Sequence, residues 1–128
     1  MLNLRILNVG TKNVSTREEW LRKKVLSLPA GARILDAGAG ELKYKNLCGH
    51  LEYVSQDFGE YDGKGNSEGL QTKQWDNTKI DIKSDIASIP EQNCSFDAIM
   101  CIEVFEHIPH PEKAIQEFSR LLKPGGKL

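Results

Sequence analysis

The chain has 128 residues, a formal net charge of −1, 39% hydrophobic residues and 27% charged residues. This size and composition predict one globular domain that is large enough to bury a core. A nearly neutral charge argues against nucleic acid held by a bulk positive field. No apolar run approaches the roughly 18 residues that a membrane span needs.

Three cysteines, Cys48, Cys94 and Cys101, are scattered without the spacing of a metal site. We therefore expect no bound metal. An odd number of cysteines also suits a reducing compartment better than a disulfide framework, which predicts a cytoplasmic protein.

The first predicted element after an N-terminal arm (residues 1–15) is a helix that begins at Thr16, where the main domain (16–128) starts. Thr16 and Glu19 have the spacing of a capping box, and the apolar face of this helix places Trp20 in the core. The segment 29–31, Pro-Ala-Gly, ends the helix.

The rest of the chain alternates strand and helix patterns, with a long polar insertion at 59–79. We predict strands at 33–37, 51–56, 80–83 and 98–102, and helices at 42–49 and from Pro111 to Leu122. This alternation predicts an α/β fold with a doubly wound, mostly parallel sheet. Because a fifth strand only begins at Lys127, the sheet would be incomplete at its C-terminal strands. Unless the chain is a fragment of a longer protein, the bare edge of strand 98–102 would then favour self-association or else marginal stability.

The most informative feature is the turn Asp36-Ala37-Gly38-Ala39-Gly40, which directly follows the first strand. Glycines let the backbone approach a ligand closely, and a helix beginning here would offer unpaired N–H groups. The dinucleotide fingerprint needs a glycine at position 43, where this chain has Lys43. A pyrophosphate site, and with it a nicotinamide-dependent oxidoreductase, is therefore disfavoured. An ordinary strand-to-helix turn remains the alternative.

Four acids lie at the ends of the predicted strands: Asp36, Asp57, Asp85 and Glu103. Right-handed crossovers bring these ends to one edge of the sheet, which favours a cationic or hydroxyl-rich ligand. Asp57 lies 17 positions after Gly40, close to the roughly 20 at which an acid accepts hydrogen bonds from a ribose. Taken singly, each acid could equally be a helix cap or a solvated loop residue.

Three segments, 34–41, 95–108 and 120–128, together resemble class I S-adenosylmethionine-dependent methyltransferases. They resemble the glycine motif, the fourth-strand motif and the segment that leads into the fifth strand of that Rossmann-like fold. The subgroup suggested acts on small molecules, quinone precursors, sugars and lipids.

The resemblance implies which residues contact the cofactor S-adenosylmethionine. The glycine turn would contact its methionine part, Asp57 its ribose, and the strand-end residues its adenine and its methyl group. The implied contacts are Asp36, Gly38, Ala39, Gly40, Asp57, Phe58, Asp85, Ile86, Cys101, Ile102 and Glu103.

The function expected from this resemblance is methyl transfer to a small-molecule, sugar or lipid acceptor by in-line displacement. Glu103 and His107 are the candidate general bases, and on a helix their four-residue spacing would place them on one face. A structural role for His107 is the competing interpretation. The competing function is a truncated, catalytically silent module that binds the cofactor or a protein partner.

Overall fold

The computed structural model describes residues 12–59 and 79–128. Within these ranges one sheet carries five parallel strands with a helix on either side, and neither α-helix is long and apolar enough to cross a membrane. The elements in chain order are α1 (Asn13–Leu26), β1 (Arg33–Ala37), β2 (Glu52–Asp57), β3 (Ile82–Lys83), β4 (Phe96–Met100), α2 (Pro111–Leu121) and β5 (Leu122–Lys127), with short 3-10 helices at Lys45–Cys48 and Phe105–His107.

The strand order is β3-β2-β1-β4-β5, and every neighbouring pair is parallel. The chain therefore winds outward in both directions from β1, which confirms the predicted doubly wound fold. Because the strands are parallel, their carboxyl ends share one edge of the sheet, and the switch point between β1 and β4 lies at its centre. Ligands bind at this position in open α/β sheets.

Each face of the sheet has its own apolar core. Leu35, Phe96 and Ile99 pack with Phe118 and Leu121 of α2 on one face. On the other face, buried residues of α1, β1 and β4 form a second cluster with Cys48, which follows the glycine turn. Both flanks of the central strands β1 and β4 are thus covered, as parallel strands require.

The start of α1 differs from the prediction. The helix begins at Asn13, and the Thr16 N–H donates to the carbonyl of Lys12 at 2.9 Å, so Thr16 lies inside the first turn. The capping-box prediction is therefore wrong. The predicted core position of Trp20 is also wrong, because this side chain is 56% exposed while Leu21 and Val25 are buried.

Three other elements are shorter or displaced. The predicted helix at 42–49 is only the 3-10 turn at Lys45–Cys48, since Leu42 has a left-handed φ of 61°, which interrupts an α-helix. β3 has only two residues, and β4 begins two residues earlier than predicted. Most of the predicted 59–79 insertion, residues 60–78, lies outside the described residues.

Residues 122–127 form a strand where the sequence predicted a helix end at Leu122 and a stop at 124–126. β5 pairs with β4 through Phe96↔Leu122 and Ala98↔Lys127, with an irregularity between the two pairs. Pro124 is tolerated there because β5 is an edge strand. The expectation of a bare edge along 98–102 is therefore wrong at Ala98, which pairs with Lys127.

Candidate functional site

The glycine turn after β1 is held by the last two residues of β2. The Gly38 N–H donates to Oε1 of Gln56 at 3.2 Å, and the Ala39 N–H donates to the Gln56 carbonyl at 2.9 Å. The Gly40 N–H donates to Oδ2 of Asp57 at 2.9 Å. Three consecutive N–H groups are thus used within the protein. The expectation that this turn offers unpaired N–H groups at a helix start is wrong.

Gln56 links this turn to the end of β3. Its side chain is 1% exposed, and its Nε2 donates to the carbonyl of Ser84 at 2.7 Å while its Oε1 accepts from Gly38. The Ser84 N–H in turn donates to the carbonyl of Asp57 at 3.1 Å. Gln56 is not among the site residues predicted from the sequence. The available signal was an amide side chain inside a strand, immediately before a strand-end acid.

Asp36 is a buried carboxyl group at the end of β1. It is 3% exposed, and the Tyr53 hydroxyl of β2 donates to its Oδ2 at 2.5 Å. Burial raises the pKa of Asp36 to about 6; the Tyr53 hydrogen bond opposes this rise and the charge of Asp57 adds to it. Tyr53 is not among the predicted site residues, because its register places it beside Ile34 and only the length of its side chain brings the hydroxyl to Asp36.

The predicted adenine-side residues lie at the exposed end of the same edge. Asp85 accepts a hydrogen bond from the Ala87 N–H at 2.8 Å, so its carboxylate shapes its own turn. Ile86 packs partly against the core, whereas Phe58 is largely exposed. This part of the edge therefore offers one apolar wall, one open aromatic ring and one solvated carboxylate.

The segment after β4 lies against the glycine turn. Gly38 has a φ of 72°, and a Cβ at this position would be 2.6 Å from Cγ2 of Val104. The preceding residue, Glu103, has a left-handed φ of 56°, is 60% exposed and forms an ion pair with Arg17 of α1. Ile102 packs against the α1-side cluster. The residues predicted for the methyl-transfer end thus lie next to the turn predicted to hold the methionine part.

Cys101 is half-buried beside this segment. Burial raises the pKa of its thiol to about 12, with a smaller contribution from the charges of Asp36 and Glu106. A thiol with so high a pKa remains protonated at neutral pH and is a poor nucleophile. Cys101 is therefore suited to lining a site rather than to acting as a nucleophile.

Glu103 and His107 do not share a helix face. Only Phe105–His107 is helical, as a 3-10 turn, and Glu103 precedes it in a left-handed conformation. The expectation based on α-helical spacing is therefore wrong. His107 is 78% exposed, with Nε2 3.8 Å from Oε1 of Glu106. Glu103 lies next to the residue that packs on Gly38, whereas His107 points to solvent.

The chemistry of this edge is that of a hydrogen-bond acceptor. Carboxylates lie at the ends of β1 and β2 and after β3 and β4, and the N–H groups of the glycine turn are occupied. In the part of the chain that the structure describes, no group of three or more His, Cys, Asp or Glu side chains could hold a metal. The edge suits an ammonium, a sulfonium or a sugar diol, and it does not suit a phosphate.

Comparisons with known proteins show the family of this chain. The protein-family model described as "Methyltransferase domain" matches residues 35–128. The ubiquinone biosynthesis O-methyltransferase of Xanthomonas oryzae pv. oryzae is 36% identical over 102 residues, which cover 77% of this chain and 42% of that protein.

Two solved structures are similar in fold. The YcgJ protein from Bacillus subtilis has a TM-score of 0.62 at 22% identity, over 85% of this chain and 47% of its own. A SAM-dependent methyltransferase from Aquifex aeolicus has a TM-score of 0.58 at 25% identity, over 83% of this chain and 58% of its own.

The chain belongs to the methyltransferase domain family, in the class I S-adenosylmethionine-dependent group. The resemblance found in the sequence is thereby confirmed. The chain spans less than half the length of the curated relative that it matches.

The contact between Gly38 and Val104 predicts a specific cost for a methyl group at Gly38. Gly38→Ala adds left-handed strain of about 1–2 kcal/mol and an overlap with Val104 of about 1–3 kcal/mol. Gly31→Ala is the matched control, because Gly31 also has a positive φ but a Cβ there would meet nothing within 4 Å. Urea unfolding should show a larger loss of stability for Gly38→Ala than for Gly31→Ala.

Val104→Ala removes the methyl groups that the new Cβ would meet. In a Gly38→Ala background it should therefore restore the part of the stability that the overlap with Val104 removes. Equal losses for the two glycine variants, with no recovery in the double variant, would contradict this packing of the β4 segment on the turn.

Proposed function

We propose that this chain binds S-adenosylmethionine and forms the cofactor-binding part of an enzyme that methylates a small molecule. The observation that carries the proposal is the use of three consecutive turn N–H groups by β2. With these donors occupied, the turn presents an edge rich in carboxylates to a ligand. Such an edge favours a sulfonium with an ammonium and a ribose over a pyrophosphate.

The cofactor contacts we propose follow the strand ends. Asp36, Gly38, Ala39 and Gly40 would hold the methionine part. Asp57 would accept hydrogen bonds from the ribose hydroxyls, because its carboxylate keeps acceptor capacity beyond the bonds from Gly40 and Gly59. The residues proposed for the adenine are Phe58, Asp85 and Ile86, and those proposed for the methyl-transfer end are Cys101, Ile102 and Glu103.

When bound, S-adenosylmethionine supplies an electrophilic methyl group. The task of the protein is then to align an acceptor and, for a hydroxyl acceptor, to remove a proton. Alignment alone can lower such a barrier by about 7–11 kcal/mol. Glu103 is the better candidate base, since it adjoins the residue packed on Gly38, and His107 is the second candidate. The O-methyltransferase relative supports a hydroxyl group on a small molecule as acceptor.

The alternative function is a catalytically silent cofactor-binding or protein-interaction module. A cytoplasmic location, which the cysteine usage favours, remains part of the proposal.

Cofactor binding should depend on the Asp57 charge. Asp57→Asn keeps an acceptor for the Gly40 N–H but weakens the ribose hydrogen bonds. Because hydrogen bonds to charged groups contribute about 1.5–3 kcal/mol, the Kd for S-adenosylmethionine should rise roughly 10- to 150-fold. Isothermal titration calorimetry with S-adenosylmethionine and S-adenosylhomocysteine measures this.

Glu52→Gln is the matched control for Asp57→Asn, since Glu52 is an acid at the other end of β2, paired with Arg33. It should leave the Kd unchanged. Wild-type protein that releases no heat with either ligand would argue for the partner-only alternative.

Turnover should depend more on Glu103 than on His107. With a panel of small phenols as acceptors, Glu103→Gln should lower the rate of methyl transfer by about 10²–10⁴-fold, the usual contribution of a general base. His107→Gln should change the rate little, because His107 is exposed and faces Glu106. Methylated product is measured by mass spectrometry. Cofactor binding without product on any acceptor would favour the silent module.

We also propose that copies of this chain associate through an apolar groove beside the β4 edge. The groove has a volume of about 520 Å³ and is lined by residues of α1, β4 and the end of β5, among them Trp20, Met100 and Leu128. Trp20→Glu places a charge in the groove and should shift the protein toward monomer in sedimentation velocity experiments. Wild-type protein that sediments as a single monomeric species would refute this association.

A further inference from the structure

We propose that Tyr53 is a positioning residue for the cofactor: its hydroxyl holds Asp36 in the orientation and the charge state that S-adenosylmethionine binding requires. This inference rests on the proposed function, because it assigns a partner to one of the proposed cofactor-binding side chains. It concerns a residue outside the glycine turn and outside the strand-end acids.

The geometry places a single hydroxyl donor on a buried carboxyl group. The Tyr53 hydroxyl donates to Oδ2 of Asp36 at 2.5 Å, and Asp36 is 3% exposed. The tyrosine ring packs against the α1-side cluster together with Tyr44. Because the ring is held by packing, its hydroxyl has little freedom to leave Asp36, and water has little access to replace it.

Asp36 lies where a charge would act on the ligand. It is two residues before Gly38, and its carboxyl group interacts electrostatically with Asp57 at the end of β2 and with Cys101 after β4. It is thus between two strand ends proposed to hold the ribose and the methyl group. An ionised Asp36 attracts an ammonium or a sulfonium there, and a protonated Asp36 does not.

The surroundings of Asp36 otherwise oppose its ionisation. Burial and the negative charge of Asp57 both raise its pKa, and the Tyr53 hydrogen bond is the contribution that lowers it. The titratable groups that face Asp36 from the packed elements are Tyr53 and Asp57 of β2, Cys48 of the 3-10 turn and Cys101 after β4. Burial raises the pKa of both thiols, so neither is charged at neutral pH.

The pKa of Asp36 is raised to about 6 in the folded protein, so the ionised form that attracts a cation accumulates as the pH rises through 6. Affinity for S-adenosylmethionine should therefore increase across that range. Without the Tyr53 hydroxyl, the pKa of Asp36 should be higher still. The increase in affinity for S-adenosylmethionine should then occur at a correspondingly higher pH.

The test uses Tyr53→Phe, with Tyr44→Phe as matched control in the same cluster. Carbon-13 NMR follows the Asp36 carboxyl group in protein without ligand, and calorimetry gives the Kd for S-adenosylmethionine from pH 5 to 9. In Tyr53→Phe, the titration midpoint of Asp36 seen by NMR and the midpoint of the pH dependence of the Kd should both rise by about one to two pH units. This is the pKa change that corresponds to the loss of one hydrogen bond to a charged group. Tyr44→Phe should leave both midpoints in place, and Asp36→Asn should remove the Asp36-dependent step in affinity.

An Asp36 carboxyl group whose NMR midpoint stays in place or falls in Tyr53→Phe overturns the inference. Wild-type pH dependence of the Kd in Tyr53→Phe overturns it as well, while leaving the proposed function intact. Absence of S-adenosylmethionine binding by the wild type at every pH overturns the proposed function and the inference with it. The NMR midpoint of Asp36, measured without ligand, separates this outcome from a failure of the Tyr53–Asp36 interaction alone.

A second measurement covers a Tyr53→Phe variant that does not fold. The chain has three tyrosines, so replacing Tyr44 and Tyr61 by phenylalanine leaves Tyr53 alone for labelling with 3-fluorotyrosine. The fluorinated phenol is a stronger hydrogen-bond donor with nearly the same shape. It should lower the Asp36 midpoint, and an unchanged or higher midpoint contradicts the inference.

Discussion

The site depends on the way β2 fixes the turn that follows β1. Gly38, Ala39 and Gly40 all donate their N–H groups to the last two residues of β2, through the Gln56 side chain, the Gln56 carbonyl and the Asp57 carboxylate. A turn with two positive-φ glycines has many accessible conformations when it is free. Three hydrogen bonds to a buried strand select one of them, so β2 determines the shape that β1 presents to a ligand.

This constraint also determines which ligands the edge can bind. A glycine turn that binds phosphate does so with free N–H groups at a helix start, and here those groups are occupied and Leu42 interrupts the helix. What remains is a row of carboxylates, one of them buried at Asp36 with its pKa raised to about 6. Burial of that carboxyl group costs free energy, and a cationic ligand bound beside it would offset this cost.

The sequence predicted the features that depend on local pattern and topology. β1, α2 and the gathering of strand-end acids on one edge follow from apolar periodicity and parallel connections, and the structure contains them. The sequence could not predict Gln56 or Tyr53, because their roles come from cross-strand register and side-chain length. The predictions for Thr16 and Trp20 were wrong because they used only local sequence patterns. In the structure α1 begins before Thr16, and its packing leaves Trp20 largely exposed.

The contact of Val104 on Gly38 joins the segment after β4 to the glycine turn. A residue with a side chain at position 38 would push the segment after β4 away from the turn, and Glu103 lies in that segment in a left-handed conformation and paired with Arg17. Glycine at 38 therefore serves the β4 segment as well as the turn itself. Because β2 fixes the turn and Val104 packs on it, hydrogen bonds made on the opposite side of β1 contribute to the position of Glu103, together with its ion pair with Arg17.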